Sequence, residues 1–407
     1  MLLDFKEIKS HLSGIVELPI SKSLCNRALI LRAISNQNIY LSEISKANDS
    51  VILERCLNTT SNVIDVEDAG TAMRFLTAYF AFQQRSIELR GSKRMHQRPI
   101  GSLVEALNAI GANVTYIEND GFPPIRLDAC KLEALTTEVS ISANTSSQFI
   151  SALMLIAPSL PVGLTIHLEG KTASRPYIEM THSLLQQAGV TSVFKGNKIV
   201  IQHHEFQPQT IDLESDWSAA SYFYGIAAMR RNSKIQLTNL NSDSFQGDSI
   251  IVKWFQEYFG VSSQFNQEGV QLNSTNDFKF PTELELDFTP YPDLAQTLVV
   301  LCACLGIRLK ATGLESLLIK ETNRLLALST ELEKIGVHSA ITSNSIAIEG
   351  QIQLSDTPAG ISTYQDHRMA MAFSMVSLLR PIRFDNEKVV SKSFPSFFSE
   401  LAELFVP

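Results

Sequence analysis

The feature that most constrains the fold is a short pattern that recurs along the chain. A helical stretch ends at a glycine, and two alternating apolar and polar runs follow it, with a polar turn between them. The alternation is typical of a β-hairpin, and a glycine directly after a helix is typical of a left-handed C-cap. The intervals between successive glycines are 78, 71 and 76 residues, for Gly111, Gly189, Gly260 and Gly336. Such a near-constant period predicts a repeated supersecondary structure.

Each period also contains helical stretches that are apolar on nearly every side. They begin at a Ser, Asp or Glu and cover 146–156, 216–229, 249–258, 293–304, 321–335 and 366–379. A helix of this kind is buried on most of its surface. We therefore expect an α/β fold of repeats that each hold two helices and several strands, with the helices inside and the sheets outside. The first repeat, around residues 35–67, is shortened, because no glycine followed by a hairpin occurs in it.

Composition limits the classes of function. With 407 residues, of which 44% are hydrophobic and 19% charged, the chain can form two or three packed domains. Its net charge of −8 argues against general nucleic-acid binding. The cysteines show no CxxC pattern, and Cys302 and Cys304 are expected to be buried thiols rather than metal ligands. Residues 1–7 do not resemble a signal peptide, and the apolar run 298–306 is too short to cross a bilayer, so we expect a cytoplasmic location and no membrane contact.

Hydroxyl and cationic side chains surround the start of the first apolar helix. Ser21, Lys22 and Ser23 follow a proline, and Arg27 comes one turn later. If Ser21 or Ser23 caps a helix, free backbone N–H groups and two cations would converge there, which favours a phosphate or carboxylate. The alternative is an ordinary capped helix with a solvated Lys and Arg.

Further polar blocks precede other apolar helices. They are residues 68–74, 94–101, 144–148, 174–177, 320–324 and 366–371, together with Asp293 and Lys392. Each block alone is compatible with an N-cap or a solvated surface. Together they place many cations at helix starts, where the helix dipole repels positive charge. An anionic ligand would offset that cost.

Six of these motifs together resemble one enzyme family. They are Ser-Lys-Ser-x-x-Asn-Arg at 21–27, Ala-Gly-Thr-Ala-Met-Arg at 69–74, Arg-Pro-Ile-Gly at 98–101, Ser-Ser-Gln at 146–148, Lys-Glu-Thr-x-Arg at 320–324 and Asp-His-Arg-Met-Ala-Met at 366–371. In this order they resemble the 3-phosphoshikimate 1-carboxyvinyltransferase (EPSP synthase) family of enolpyruvyl transferases. The resemblance extends from about residue 18 to residue 398.

The resemblance implies a fold called an inside-out α/β barrel, with two domains of three βαβαββ repeats each. One domain would comprise 1–20 and 214–407 and carry the phosphoenolpyruvate and catalytic residues. The other would comprise 21–213 and carry the shikimate 3-phosphate side. The chain would cross between them near 18–21 and 211–216, and the substrates would bind in a cleft that closes on them.

The resemblance also implies the reaction. The enolpyruvyl group of phosphoenolpyruvate moves to the 5-hydroxyl of shikimate 3-phosphate, through a tetrahedral ketal, with release of phosphate and without a metal or cofactor. Because both substrates carry a phosphate and a carboxylate, the site must be cationic. Protonation at C3 of the enol ether and loss of the hydroxyl proton require an acid and a base. The implied partners are these two small anions alone, and the protein is expected to be a monomer.

The matching motifs assign residues to each substrate. Shikimate 3-phosphate would contact Lys22, Ser23, Arg27, Ser146, Ser147, Gln148, Ser174, Tyr177, Asp293 and Lys320. Phosphoenolpyruvate would contact Lys22, Gly70, Arg98, Gln148, Arg324, Arg368 and Lys392. Glu321 is the candidate for proton transfer at the enolpyruvyl carbon, Asp293 is the candidate for the 5-hydroxyl, and Lys22 would assist.

Some residues depart from the family pattern. Asp68 stands where the family usually has Asn, and its carboxylate would repel phosphoenolpyruvate unless it is paired or turned away. Asn323 replaces a more usual Asp, and the first repeat is shorter than the family norm. Two alternatives remain. One is the related transferase that acts on UDP-N-acetylglucosamine, although residues 92–97 lack the cysteine of that family. The other is a degenerate relative that binds a similar ligand without turnover.

Overall fold

The chain forms two compact units. The structure is a computed structural model, and it describes residues 1–6, 12–131, 135–143, 146–170, 172 and 174–405. One unit contains Ile20–Leu213, and the other contains Met1–Pro19 together with Glu214–Pro407. They are called the 20–213 unit and the 214–407 unit below. Each has its own cluster of buried apolar side chains.

The 20–213 unit begins with a helix and ends with a strand. Its helices are α1 (Lys22–Ile34), α2 (Asn48–Leu57), α3 (Gly70–Phe80), α4 (Gly101–Ile110), α5 (Ser147–Ile156) and α6 (Arg175–Gln187). Its strands are β3 (Ile39–Leu41), β4 (Val63–Asp65), β5 (Ile87–Arg90), β6 (Asn113–Tyr116), β7 (Ile125–Asp128), β8 (Glu138–Ser142), β9 (Leu164–Glu169), β10 (Ser192–Lys195), β11 (Lys198–Ile201) and β12 (Gln209–Ile211).

The 214–407 unit includes the two strands that precede α1, which are β1 (Leu2–Leu3) and β2 (Ser13–Val16). Its helices are α7 (Trp217–Met229), α8 (Ile251–Tyr258), α9 (Ala295–Leu305), α10 (Arg324–Glu333), α11 (His367–Phe373) and α12 (Phe397–Glu403). Its other strands are β13 (Lys234–Thr238), β14 (Val261–Asn266), β15 (Gly269–Ser274), β16 (Glu283–Asp287), β17 (Arg308–Thr312), β18 (His338–Ile341), β19 (Ile346–Glu349), β20 (Ala359–Ile361) and β21 (Ile382–Phe384).

Four sheets share one topology, which is the predicted repeat. Their strand orders are β4-β5-β7-β6, β8-β9-β11-β10, β2-β13-β15-β14 and β16-β17-β19-β18. In each, the first pair is parallel and is connected through a helix, and the last pair is an antiparallel hairpin. The chain order is therefore βαβαββ. In the third of these sheets the whole 20–213 unit is inserted between β2 and α7.

The predicted glycine caps are confirmed. Gly111, Gly189, Gly260 and Gly336 have φ values of 118°, 83°, 67° and 86°. Residues with a Cβ rarely adopt this left-handed region, so glycine ends the helix and turns the chain into the hairpin. The four hairpins follow at the predicted positions.

The remaining two sheets are smaller. After α2 the chain continues directly to β4, and β3 pairs with β12 in a two-stranded parallel sheet. The sequence did not indicate that the last repeat is also reduced, to the three-stranded sheet β1-β21-β20. Among the described residues, the strands thus form six separate sheets rather than one continuous barrel wall.

Helices lie inside and sheets outside, as predicted. All residues of α7 except Met229 are buried, and α9 is buried over its first nine residues. In contrast, β8, β16 and β17 alternate between exposed and buried residues along their length. In the described part of the chain, no helix is both long and apolar enough to cross a membrane.

Several predicted helix boundaries are wrong. The helix predicted from Glu321 begins at Arg324, because the Asn323 side chain accepts from Leu326 N and caps it. Asp293 lies in a short 3-10 turn, Pro292–Leu294, that leads into α9. The helix predicted over 366–379 changes from α-helix to 3-10 geometry after Phe373.

Two hairpin glycines provide a test of the repeat. A Cβ at Gly269 would lie 2.2 Å from the carbonyl oxygen of Leu237 in the neighbouring strand, whereas a Cβ at Gly196 would meet nothing within 4 Å. Both glycines have positive φ. Gly196→Ala should cost about 1 kcal/mol for the left-handed backbone. Gly269→Ala should cost at least ~3 kcal/mol, because the strand must also move. Calorimetric unfolding of both variants checks this, and equal shifts would contradict the clash.

Candidate active site

Most of the predicted residues of the 20–213 unit lie at or near the N-terminal ends of its helices, whereas Arg27 lies in the second turn of α1 and Arg98 precedes α4. The Ser21 side chain caps α1 by accepting from Leu24 N at 3.4 Å, as predicted. Ser146 caps α5 by accepting from Gln148 N at 3.2 Å. The Gln148 side chain in turn donates to the Thr71 hydroxyl, in the first turn of α3, at 3.4 Å. The N-termini of α3 and α5 are thus adjacent, and their free N–H groups favour an anion.

The other hydroxyl residues of this set are partly enclosed. Ser147 and Ser174 are mostly buried, and Tyr177 is half-buried. Ser174 precedes α6 with φ of 52°, a left-handed conformation that is uncommon for serine. Asn144 and Thr145, part of the same sequence block, lie outside the described residues.

Lys22 has a carboxylate partner that the sequence did not reveal. Its Nζ lies 3.4 Å from Oδ2 of Asp49, in the first turn of α2, and only 6% of the Asp49 side chain is exposed. The first turns of α1 and α2 are therefore joined by a partly buried ion pair. The only signal in the sequence was an acidic residue near a helix start, which is common for capping alone.

Arg27 is held by the protein itself. Its Nε donates to Thr181 Oγ1 at 2.7 Å, Nη1 to the Ser23 carbonyl at 2.8 Å, and Nη2 to Ser151 Oγ at 3.1 Å and the Tyr177 carbonyl at 3.3 Å. Only 2% of the residue is exposed, and burial lowers its pKa to about 10. Arg27 thereby ties α1 to α5 and α6.

Gly70 and Arg98 are in direct contact. A Cβ at Gly70 would lie 2.5 Å from Nη1 of Arg98, so a larger residue would displace the guanidinium group. Arg74 connects the two backbone segments that carry this pair. Its Nη1 donates to the Gly70 carbonyl at 3.1 Å, and its Nη2 donates to the Pro99 carbonyl, next to Arg98, at 3.0 Å. Arg98 is 7% exposed, and its Nε has no hydrogen-bond partner among the described residues.

Asp68 is exposed and accepts a hydrogen bond from the hydroxyl of Ser92. Its carboxylate is therefore both solvated and paired. These are conditions under which a carboxylate beside an anion site is tolerated.

In the 214–407 unit, Arg324 joins three carboxylates. Its Nε lies 2.6 Å from Asp366 Oδ2, Nη2 lies 2.9 Å from Glu321 Oε2, and Nη1 lies 3.2 Å from Asp293 Oδ1. Burial disfavours the charge of Arg324, but Asp366, Glu321 and Asp293 outweigh that effect and raise its pKa above the ordinary value.

Further cations complete this cluster. Arg368 Nη2 lies 2.9 Å from Asp293 Oδ2, and Lys320 Nζ lies 3.8 Å from Asp293 Oδ1. Lys392 Nζ lies 3.7 Å from Glu321 Oε1. Burial lowers the pKa of Lys320, although the carboxylate of Asp293 acts in the opposite direction. Every residue that the sequence assigned to this unit is thus in one group.

Sequence reasoning missed three residues that support the cluster. Asp366 is fully buried, and its side chain also accepts from Arg368 N at 2.9 Å, so it caps α11. Ser218 donates to Asp248, and its hydroxyl oxygen lies 3.5 Å from Arg368 Nη2. Burial and the negative charge of Asp293 raise the pKa of Asp248 to about 7. Asp366 stood in a quoted motif, whereas nothing in the sequence distinguished Ser218 and Asp248.

Comparison with known proteins decides the family. The model of the EPSP synthase (3-phosphoshikimate 1-carboxyvinyltransferase) family matches residues 38–401. The chain belongs to the EPSP synthase family. A 3-phosphoshikimate 1-carboxyvinyltransferase of Bacteroides fragilis is 40% identical over 96% of this chain and 95% of its own length. One of Photobacterium profundum is 32% identical over 98% of each chain.

Solved structures support the fold. An EPSP synthase from Acinetobacter baumannii superposes with a TM-score of 0.77 at 18% identity, over 99% of this chain and 98% of that chain. The family resemblance and the α/β fold predicted from the motifs are therefore confirmed.

The bonds of Arg27 give a test of its structural role. Arg27→Lys removes the planar group that serves Thr181, Ser151 and two carbonyls, and should cost about 2–4 kcal/mol of stability. Arg32→Lys, on the same helix, breaks only a pair with Glu54 that is partly open to solvent, and should cost less than about 1 kcal/mol. Thermal unfolding of both variants, with and without shikimate 3-phosphate, measures these stability changes. Unchanged stability of Arg27→Lys would show that the side chain serves only a ligand.

Proposed function

We propose that this protein transfers the enolpyruvyl group of phosphoenolpyruvate to the 5-hydroxyl of shikimate 3-phosphate and releases phosphate. The observation that carries the proposal is the cluster around Arg324, in a chain that belongs to the EPSP synthase family. Four cations and three carboxylates there supply both anion binding and proton transfer. We also propose a monomer in the cytoplasm whose ligands are these two small anions.

For phosphoenolpyruvate we propose contacts with Arg98, Arg324, Arg368, Lys392 and the backbone at Gly70. Arg98 gives the strongest support, because the residue is nearly buried and its Nε has no hydrogen-bond partner among the described residues. A buried charge without a counter-ion is costly, and an anionic ligand would offset that cost. Arg324 has most of its donors engaged by carboxylates, so its contribution to an incoming anion is mainly electrostatic.

For shikimate 3-phosphate we propose contacts with the helix starts of the 20–213 unit. Lys22 and Ser23 supply a cation and a hydroxyl at α1, and Ser146, Ser147 and Gln148 supply hydroxyls and an amide at α5. Ser174 and Tyr177 belong to the start of α6, and Asp293 and Lys320 complete the proposed set. Arg27 has one N–H group that the four protein hydrogen bonds leave available, so its direct contact with the ligand is limited.

The proposed mechanism has an addition step and an elimination step, and each step needs two proton transfers. Addition of the 5-hydroxyl to C2 of phosphoenolpyruvate releases the hydroxyl proton and adds one proton at C3, giving the tetrahedral ketal. Elimination removes one proton from C3, breaks the bond between C2 and the phosphate ester oxygen, and delivers one proton to that oxygen as phosphate leaves. We assign the C3 transfers to Glu321 and the hydroxyl proton to Asp293, with Lys22 assisting. The cations around both carboxylates suit a site in which the phosphate leaving group carries away negative charge.

Turnover is the first test. Phosphate release should require both phosphoenolpyruvate and shikimate 3-phosphate, and a colorimetric phosphate assay measures it. Release with UDP-N-acetylglucosamine in place of shikimate 3-phosphate would support the related transferase. Binding of shikimate 3-phosphate without any release would support a degenerate relative.

The two carboxylates can be tested separately. Glu321→Gln and Asp293→Asn should each lower kcat by roughly 10²–10⁴, the usual contribution of a general acid or base. Glu333→Gln is a suitable control because Glu333 lies on α10 and is exposed. Near-normal turnover of either variant, with intact substrate binding, would show that its proton-transfer role is assigned wrongly.

Asp68→Asn tests the departure from the family pattern. Because Asp68 is exposed, the substitution should leave stability within about 0.5 kcal/mol of the wild type. If the Asp68 carboxylate repels phosphoenolpyruvate, the KM for phosphoenolpyruvate should be about two- to fivefold lower in Asp68→Asn than in the wild type. A change of this size corresponds to a weak, screened charge interaction. Asp65→Asn, at an exposed residue of the preceding strand, is the matched control. An unchanged KM in Asp68→Asn would show that the hydrogen bond from Ser92 and solvent already neutralise the effect.

A further inference from the structure

The segment that delivers Asp366 to the cluster has an unusual backbone. Tyr364 and Gln365, the two residues before Asp366, have φ values of 55° and 56°. Neither is glycine, and consecutive left-handed residues of this kind persist only where the surroundings hold them. The described contacts show what holds them.

Glu331 is the main anchor of this segment. It lies on α10 and is fully buried, and its carboxylate accepts from Ser362 N at 3.1 Å and from the Tyr364 hydroxyl at 2.6 Å. Lys334 Nζ donates to both oxygens at 2.7 Å. Burial and the nearby carboxylate raise the pKa of Tyr364 to about 12, so its hydroxyl remains a donor at neutral pH.

The same helix holds the other end of the segment. Arg324, in the first turn of α10, binds the Asp366 carboxylate, and Thr363 between the two anchors donates from N and Oγ1 to Asp385, both at 2.9 Å. Glu331 is seven residues from Arg324, or roughly 10 Å along the helix axis. It is therefore too far along α10 to contact a ligand of Arg324 directly.

We propose that Glu331 is a positioning residue for phosphoenolpyruvate binding. It holds the left-handed turn at Tyr364 and Gln365, and through that turn it fixes Asp366. Asp366 in turn orients the guanidinium of Arg324 and the backbone N–H of Arg368. The inference rests on the proposed function, because it concerns the phosphoenolpyruvate contacts assigned to Arg324 and Arg368.

The test compares Glu331→Gln with Glu333→Gln, an exposed change on the same helix. Glu331→Gln should raise the KM for phosphoenolpyruvate about tenfold, because the amide holds the turn less firmly. The KM for shikimate 3-phosphate and the kcat should change less than about twofold, and Glu333→Gln should change neither constant. Adding Gln365→Asn should restore part of the loss, because Asn tolerates the left-handed region better than Gln.

Tyr364→Phe keeps the ring and removes one hydrogen bond, so it serves if Glu331→Gln does not fold. It should raise the KM for phosphoenolpyruvate about threefold. Hydrogen–deuterium exchange supplies a readout without turnover, and the amides of residues 362–368 should exchange faster in both variants than in the wild type.

The outcomes separate the inference from the function. A wild type that releases no phosphate would overturn the proposed function, and the exchange result would still decide whether Glu331 holds the turn. An active wild type with unchanged KM and unchanged exchange in both variants would overturn the inference. So would an equal rise in the KM for both substrates, which indicates only a general structural role.

Discussion

The buried pair of Arg324 and Asp366 is the interaction on which the 214–407 half of the candidate site depends. Arg324 is 2% exposed and Asp366 is fully buried, and a charge removed from water to this extent requires a partner with good geometry. The pair meets this requirement through two hydrogen bonds, at 2.6 and 3.3 Å. Because Arg324 also reaches Asp293 and Glu321, one guanidinium brings together the turn before α9, the loop before α10 and the cap of α11. Without it, the buried carboxylate of Asp366 would lose its arginine partner, whereas Asp293 would keep Arg368 and Lys320, and Glu321 would keep Lys392.

The two units differ in which groups neutralise the cations at their helix starts. A cation at a helix start is repelled by the helix dipole, so each needs a nearby negative charge. In the 214–407 unit, the carboxylates of Asp293, Glu321 and Asp366 provide most of this negative charge. In the 20–213 unit, Asp49 pairs with Lys22, while Arg98 has its backbone neighbour Gly70 but no carboxylate among the described residues. Arg98 is therefore the cation whose charge is least compensated by protein carboxylates, which agrees with its proposed contact with phosphoenolpyruvate.

The sequence was most informative where the chemistry is local. A glycine after a helix and the alternation that follows depend on a few adjacent residues, so all four hairpins could be predicted. Candidate site residues that lie inside motifs could be named for the same reason. The side chains that pair with or support these residues could not be predicted. Asp49, Asp248 and Glu331 contact residues that are distant along the chain or in another element. The start of α10 was misplaced because Glu321 looks like a first-turn acid, whereas Asn323 provides the cap and leaves Glu321 to pair with Arg324 and Lys392.

The insertion of the 20–213 unit between β2 and α7 constrains how the 214–407 unit can form. Strand β2 pairs in parallel with β13, so Ser13 lies opposite Lys234 although the whole 20–213 unit separates them in sequence. Closing a flexible loop of that length costs entropy, and the cost grows only with the logarithm of its length. Within the insert, β3 and β12 pair in parallel, which places Ile39–Leu41 beside Gln209–Ile211 near the C-terminal end of the unit. The two crossing segments are then joined by Asp216 N, which donates to the Pro19 carbonyl at 2.9 Å, and by Ser215 Oγ, which donates to the Leu18 carbonyl at 3.2 Å. The backbone that leads into Lys22 is thus bonded to the residue that caps α7, the helix that also carries Ser218 beside Arg368.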